Sequence, residues 1–451
     1  MKLSKKSDYV GIVCELTDVR QHPNADNLKI ANALGYSIIV GAESKDGDVG
    51  VVFPDGGRLS HEMLFNNRLY RKVPVTGERQ GGYFGENGRV KACKLRGQIS
   101  EAFFTTFESF TWCFEGEVTL KIGDEFDTIG PHKICQKYYT PATLRRMKQA
   151  AAGYKKPWYL PKLLAHFHKK YLVNKSSFDP CPSFKKHGST TKLRQCFSMI
   201  PDGLNVIVTS KRHGTSGRTG YVKYDDRSGL AKLLGRPVGY RHVTGSRNVV
   251  KNPATFGKVG DGGFYKDSGF RFAAHQMIAP KLNRDEVIYY EILGFSNETT
   301  PIMPNHKFKW DDFKNQGFTK DEFNSIVKTY GEQATYHYGN LPGEFSVEVY
   351  RIVQGGKDLS HTDMVERCAE LSLDTVPYVS TLHSGLDLMD YCALMSASQD
   401  AGGQLREGLC LRLETPDGEL LKIVKYKSTL FSILEGIKRN DVNYVDMEEI
   451  S

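Results

Sequence analysis

The sequence predicts an α+β protein: a small barrel-like β unit, then a larger unit of mixed antiparallel strands and helices. Three observations carry this. Residues 9 to about 130 hold short strand candidates separated by Gly, Asp and Asn turns, the pattern of a small barrel. Residues 138–194 concentrate the positive charge, with 13 Lys and Arg against the single acid Asp179. From Thr190 onward, apolar strand candidates alternate with helical segments, and charged residues recur along those strands in a fixed order.

At 451 residues the chain has material for two or three domains, expected at 1–135, 136–189 and 190–451. A hydrophobic content of 39% and a charged content of 25% are those of a globular protein. Met1-Lys2-Leu3-Ser4-Lys5-Lys6 has no apolar stretch behind it, so no secretory leader is expected. No apolar run approaches membrane-spanning length. The nine cysteines are scattered and contain no C-x-x-C pair. That pattern predicts a reducing, cytoplasmic setting and argues against a disulfide framework or a structural zinc.

In chain order, the N-terminal strand candidates are 9–16, 37–40, 49–53, 89–95 and 117–122. His22-Pro23-Asn24-Ala25-Asp26 reads as a turn, with Asn and Asp in their usual places. In the basic stretch Thr140 can cap a helix whose first residue is Pro141, and a second helix is expected over 158–172. Residues 178–186, with Pro180 and Pro182, read as a linker. The stretch's net charge of +12 exceeds the +9 of the whole chain, so the remainder is slightly acidic. Its cations interleaved with Tyr154, Trp158 and Phe167 suit phosphate neutralisation and stacking on bases. The same aromatics also fall at helical spacing, which suits core packing.

The chemistry gathers in the last part. A β-branched strand ending at Ser210 runs into Lys211-Arg212-His213-Gly214-Thr215. A lysine leaving a buried strand is desolvated, which lowers an amine pKa and makes a nucleophile. Taken alone, the stretch is a strand followed by a basic, glycine-rich turn. Further strands are expected at 287–294 with Glu291, at 345–352, at 407–412 with Glu407, and at 420–427 with Lys422, Lys425 and Lys427. Each charged residue alone suits a surface ion pair or a solvated strand face; their order is what points to a site. Lys425 and Lys427 are preferred over Lys422 and Lys425 as the working pair, because K-x-K puts both on one strand face.

This ordered set resembles the covalent nucleotidyltransferase superfamily of ATP-dependent ligases and capping enzymes. Lys211 to Thr215 resembles its nucleophile motif in the K-x-H-G-T form common in RNA ligases. Ser246-Arg247-Asn248, Glu291 with Gly294, residues 347–352, Glu407-Gly408 and Lys425/Lys427 resemble the motifs that follow. His22 to Asp26 resembles a stretch of tRNA-binding OB domains, and Lys94-Leu95-Arg96-Gly97-Gln98-Ile99-Ser100 a segment of OB domains fused to RNA ligases. The likeness is nearest to RNA ligases with the OB domain ahead of the catalytic one. DNA ligases and capping enzymes place an OB domain after it, and only 24 residues follow Lys427.

The resemblance implies an N-terminal OB-type β-barrel and a nucleotidyltransferase domain acting as an ATP-dependent RNA ligase. Lys211 would carry a covalent AMP, pass it to an RNA 5′-phosphate, and a 3′-OH would displace it. Ser210 and Gly214 would border the nucleotide, Lys425 and Lys427 would hold its α-phosphate, and Arg218 and Arg247 would contact phosphate. Val347 and Leu409 would sandwich the adenine. Glu291 would touch the ribose or order metal waters, and Glu407 would hold the metal through water; two carboxylates suit a hard, hydrated Mg²⁺ or Mn²⁺. The expected partner is RNA, as a nicked duplex or as free ends, bound by a monomer with no membrane association. The alternatives are a DNA ligase or capping guanylyltransferase of the same superfamily, or a non-catalytic binder of structured RNA.

Overall fold

The computed structural model describes residues 3–7, 9–114, 120–151, 183–188, 190–225, 227, 230, 233–247, 249–251, 269–400, 403–441 and 443–444. The N-terminal half is built on β1 (Gly11–Glu15), β2 (Thr17–Gln21), β3 (Leu28–Ala33), β4 (Tyr36–Gly41), β5 (Val49–Pro54) and β6 (Ala102–Thr106). β6, β5, β1 and the short strand Glu125–Phe126 form one antiparallel sheet, and β2, β3 and β4 form a separate meander. Alternation along β1 and β5 fills a core on each face. Val13, Val51 and Phe53 pack with Phe110 and Phe126, while Ile12, Cys14 and Val52 pack with Ala31 and Ile38. Hydrogen bonds among the described strands do not join the two sheets into one closed barrel.

The strands expected at 9–16, 37–40 and 49–53 are present. Of 89–95 only Cys93–Leu95 is a strand. Upstream, Val90 N–H bonds to the Gly57 carbonyl and Arg89 makes a single bridge to Arg58. Of 117–122, residues 115–119 lie outside the described residues. Residues 120–122 are not strand but lead into a turn at Ile122-Gly123, closed by Lys121 N–H donating to the Asp124 carboxylate at 2.9 Å. The two N-terminal stretches singled out in the sequence meet as turn on turn. His22 Nδ1 accepts from Asn24 N–H at 3.1 Å, His22 Nε2 lies 3.2 Å from the Leu95 carbonyl, and Asn24 Nδ2 donates to the Arg96 carbonyl at 2.9 Å.

Helix α1 (Pro141–Ala151) starts as expected, with Thr140 Oγ1 accepting the Thr143 N–H at 3.2 Å. The helix expected over 158–172, most of the basic stretch and residues 178–182 lie outside the described residues. No described helix is long and apolar enough to cross a membrane, and the eight described cysteines are free thiols.

The C-terminal half contains β7 (Asn205–Lys211), β8 (Thr215–Tyr224), β9 (Gly239–Ser246), β10 (Glu286–Gly294), β11 (Phe345–Gln354), β12 (Tyr378–His383), β13 (Gly408–Glu414) and β14 (Leu420–Lys427). One sheet runs in the order Thr191–Lys192, β14, β13, β7, β12, and a second in the order β9, β8, β10, β11, Lys357–Asp358. Three residues, Arg212 to Gly214, separate β7 from β8, so this short link passes the chain from one sheet to the other. The glycine-rich turn suggested by the Lys211 stretch taken alone is confined to residues 212–214: from Thr215 the chain is strand. Its Gly217 is required by packing, since a Cβ there would lie 2.4 Å from the Tyr290 ring.

Each sheet has its own core. Val206, Val208, Leu409, Leu411, Val424 and Tyr426 pack behind the first sheet. Ile288, Tyr290, Ile292, Val347 and Val349 of the second pack with α2 (Gly269–Ile278), α3 (His361–Leu371) and α5 (Thr429–Lys438), while α4 (Leu388–Ala397) covers the first. The N-terminal half is fastened to the first sheet through buried charge. Arg194 makes two hydrogen bonds to Glu101 and a third to Tyr426 Oη at 2.8 Å, and lies over the Tyr36 and Tyr426 rings. Thr429 Oγ1 donates to Glu101 at 3.0 Å, and Lys192 pairs with Asp55 at 2.9 Å.

Both members of the Arg194–Glu101 pair are over 90% buried, so removing one strands the other in a low-dielectric seam. Glu101→Ala is expected to cost about 3–5 kcal/mol in a denaturant melt. An exposed control such as Glu15→Ala should stay within about 0.5 kcal/mol.

Candidate active site

β13 lies between β7 and β14, and its register sets the site. Lys211 is paired with Gly408, and Gly408 with Lys427. The residue just before β13, Glu407, therefore sits beside the last residues of both neighbours. Its carboxylate is fully buried, 2.7 Å from Lys211 Nζ, 3.8 Å from Lys427 Nζ and 3.5 Å from His213 Nδ1. Lys427 also pairs with Glu435 at 2.7 Å.

The residues on either side of Lys211 are anchored to one acid. Ser210 Oγ donates to Asp400 at 2.8 Å and Arg212 Nη1 to the same oxygen at 2.9 Å. Arg212 also donates to both Glu348 oxygens, at 2.8 and 3.2 Å, and its guanidinium lies 4.4 Å from the Tyr338 ring centre. Burial pushes the Glu348 carboxyl up and Arg212 pulls it back. The His213 ring is held edge-on between Tyr336 and Phe431, and the His213 backbone N–H donates to Tyr338 Oη at 2.9 Å. Gly214 completes the link: a Cβ there would lie 2.5 Å from the Ile292 carbonyl, so only glycine lets the link lie against β10.

Between the two sheets lies a cavity of about 150 Å³. Ser210, Lys211, Gly214, Arg247, Glu291 and Lys425 all line it, as the sequence led us to expect. Five expected residues do not line it: Val347, Leu409, Arg218, Lys427 and Glu407, the last held behind Lys211. Val347 and Leu409 point the other way, because the positions facing the cavity belong to the other alternating set of each strand: Tyr350 beside Glu291 on one sheet, Cys410 beside Lys425 on the other. Val347 pairs with Ile292 and joins the second sheet's core, and Leu409 joins the first sheet's. The expected base sandwich is thus displaced by strand parity, and the apolar wall facing the cavity is Met364, Val376 and Ile423 with Tyr350. Arg218 is buried against the Phe184 ring, 4.6 Å from its centre. Lys427 stays with Glu407 and Glu435 behind Lys211. Lys422 is exposed and alternates to the face opposite Lys425.

Sequence reasoning missed several groups here. Glu348 and Tyr350 stand two apart on β11, a period-two signal that was legible beside Glu291, which faces Glu348 across the ladder. His187 lines the cavity edge-on to Tyr350, and burial together with Arg351 and Arg247 holds its pKa down to about 4. Asp400 carries no sequence signal at all.

The arrangement offers an amine, a cationic wall of Lys425 and Arg247, and an apolar wall with one aromatic ring. That combination suits a phosphorylated ligand carrying a flat heterocycle. Among the described residues no three His, Cys, Asp or Glu converge as a metal cage. Glu291 is an oxygen donor on the cavity wall, which fits a hydrated hard cation needing few protein ligands; the Glu407 carboxylate is engaged by Lys211.

The two-sheet architecture defines the class of fold, and solved structures of similar shape exist. A lysine-to-alanine variant of Naegleria gruberi RNA ligase with ATP and Mn superposes with a TM-score of 0.57 at 15% identity, over 96% of this chain and 100% of the other. The same ligase with pyrophosphate gives 0.54 at 14% identity, over 93% and 97%. A lysine-to-methionine variant with AMP and Mn gives 0.55 at 14%, over 94% and 98%. No family model and no curated protein matches the sequence. The likeness therefore concerns the fold, over nearly the whole of both chains.

His187, His275 and His306 are each held down to about 4, burial being the main cause. Their unfolded forms titrate near pH 6.5, so between pH 6.5 and 4 the unfolded chain binds more protons. Stability should be complete above pH 6.5 and fall as pH drops, each histidine adding a slope of up to about 1.4 kcal/mol per pH unit. Melting curves from pH 7 to 4.5 should show this, and His306→Gln should flatten it.

Proposed function

We propose that this protein is an ATP-dependent RNA ligase working through a lysyl-AMP intermediate. The observation that carries the reading is Lys211, 2.7 Å from the buried Glu407 and lining one cavity with Lys425, Arg247 and Glu291. The whole-chain likeness to RNA ligase structures with ATP, AMP and Mn supports it. In the first step the deprotonated Lys211 amine attacks the α-phosphorus of ATP; a nitrogen–phosphorus bond forms and pyrophosphate leaves. The AMP then passes to an RNA 5′-phosphate, and a 3′-OH attacks that phosphate, releasing AMP. Such chemistry gains chiefly from positioning and from neutralised oxyanion charge.

Within this reading, Lys425 and Arg247 bind phosphate oxygens. Glu407 orients the Lys211 amine, and Lys427 offsets the charge of Glu407. Tyr350, Met364, Val376 and Ile423 receive the base. Glu291, joined by Glu407 once Lys211 releases it, would hold a hydrated Mg²⁺ or Mn²⁺, which supplies charge neutralisation at the phosphates. Residues 1–135 act as an OB-type RNA-gripping module, 136–189 as a basic connector and 190–451 as the adenylation domain. The substrate is a nicked RNA duplex, as expected of repair.

Incubation with α-labelled ATP and metal should leave label on the denatured chain, and α-labelled GTP should not. Lys211→Ala should remove the label completely; a variant that labels normally overturns the assignment of the nucleophile. Glu407→Ala should slow labelling by at least ~10²-fold, the scale of losing one charge-stabilising group.

A further inference from the structure

A second cavity, of about 270 Å³, lies where the N-terminal half meets the C-terminal half, apart from the one that Lys211 lines. Its described lining carries four cations, Arg71, Arg89, Lys91 and Lys94, and no carboxylate. Arg89 is 7% exposed; its Nη1 donates to Asn440 Oδ1 at 3.1 Å, and its Nε has no hydrogen-bond partner among the described residues. Gln316, also on the wall, takes the Lys94 N–H on its carbonyl at 3.0 Å, while its side-chain oxygen is buried without a described partner.

Like charges gathered away from water repel, and the molecule shows that cost. Burial, with Arg439 nearby, holds the Arg89 guanidinium down to about 10, and burial draws the Lys91 amine down as well. The carboxylates of this region relieve it only in part, Glu435 and Asp55 opposing the shift at Arg89 without bonding to it. Glu322 is taken by Lys94, and Glu435 by Arg439 and Lys427. A tetrahedral anion with several acceptor oxygens would satisfy the open guanidinium edge and the surrounding charge together.

We propose that this cavity is a phosphate-binding site, with Arg71 and Lys91 gripping the anion and Arg89 beneath it. Arg71 is exposed and Lys91 half-buried, so both can reach a ligand arriving from solvent. The occupant is a phosphate of the RNA backbone, which can lie along a surface seam while the reacting end enters the Lys211 cavity. That choice of source rests on the ligase reading; the anion site itself does not.

The full-length protein is compared with Arg71→Ala/Lys91→Ala and with the charge-keeping Arg71→Lys/Lys91→Arg. Affinity for a nicked RNA duplex is measured across potassium chloride concentration, and melting temperature across inorganic phosphate concentration. Loss of two phosphate contacts should lower the slope of log K against log salt by about 1.8, at ~0.9 per contact on a duplex. The charge-keeping variant should retain the slope. If the slope is unchanged but phosphate raises the melting temperature of the native protein and not of the double-alanine variant, the site stands and its ligand is a free anion. If neither measurement separates the double-alanine variant from the native protein, the site is refuted. Labelling at Lys211 is scored separately, so failure of the ligase reading shows there and not in the phosphate arm.

Discussion

The carboxylate of Glu407 is the constraint on which the rest depends. It is wholly buried, and an ionised group in that position is tolerated only with opposite charge beside it. The opposite charge comes from the ends of the two flanking strands, Lys211 from β7 and Lys427 from β14. The Lys211 amine is therefore held in place by electrostatics rather than by a close-packed pocket. Because β7 turns into β8 within three residues, the same contact fixes where the second sheet delivers Glu291 and Tyr350.

The N-terminal half takes part in this arrangement rather than standing beside it. Glu101 and Asp55 supply the acids that neutralise Arg194 and Lys192, next to the strand that carries Lys425. Tyr426, between Lys425 and Lys427, hydrogen-bonds to Arg194 and so ties β14 to the brace. An uncompensated Arg194 would be expected to loosen β14 as well as the seam.

Much of this was legible in the sequence, for physical reasons that can be named. Short apolar runs rich in β-branched and aromatic residues, such as 287–294, read as buried strands, and Lys211, Glu291, Glu407 and Lys425 stand out as charges attached to such runs. What failed was parity. A strand shows which residues alternate, but not which set faces the site, so Val347 was chosen three residues from Tyr350 and Leu409 one residue from Cys410, each on the wrong face. β8 was obscured because its glycines read as a turn, whereas Gly217 makes room for Tyr290. Asp400 was invisible because its meaning lies in a bond to Arg212, 188 residues earlier.

Parity also decides how the chain can change in length. The turns around Gly355 and Gly418 close hairpins, do not themselves line the cavity, and can lengthen without altering any register that matters. A single residue gained or lost inside β13 is different in kind. It would swap the faces of Leu409 and Cys410, driving a leucine into the cavity and a thiol into the core, and would draw Glu407 off the line joining Lys211 to Lys427. Insertions in related sequences should therefore collect in the hairpin tips and leave β13 unbroken.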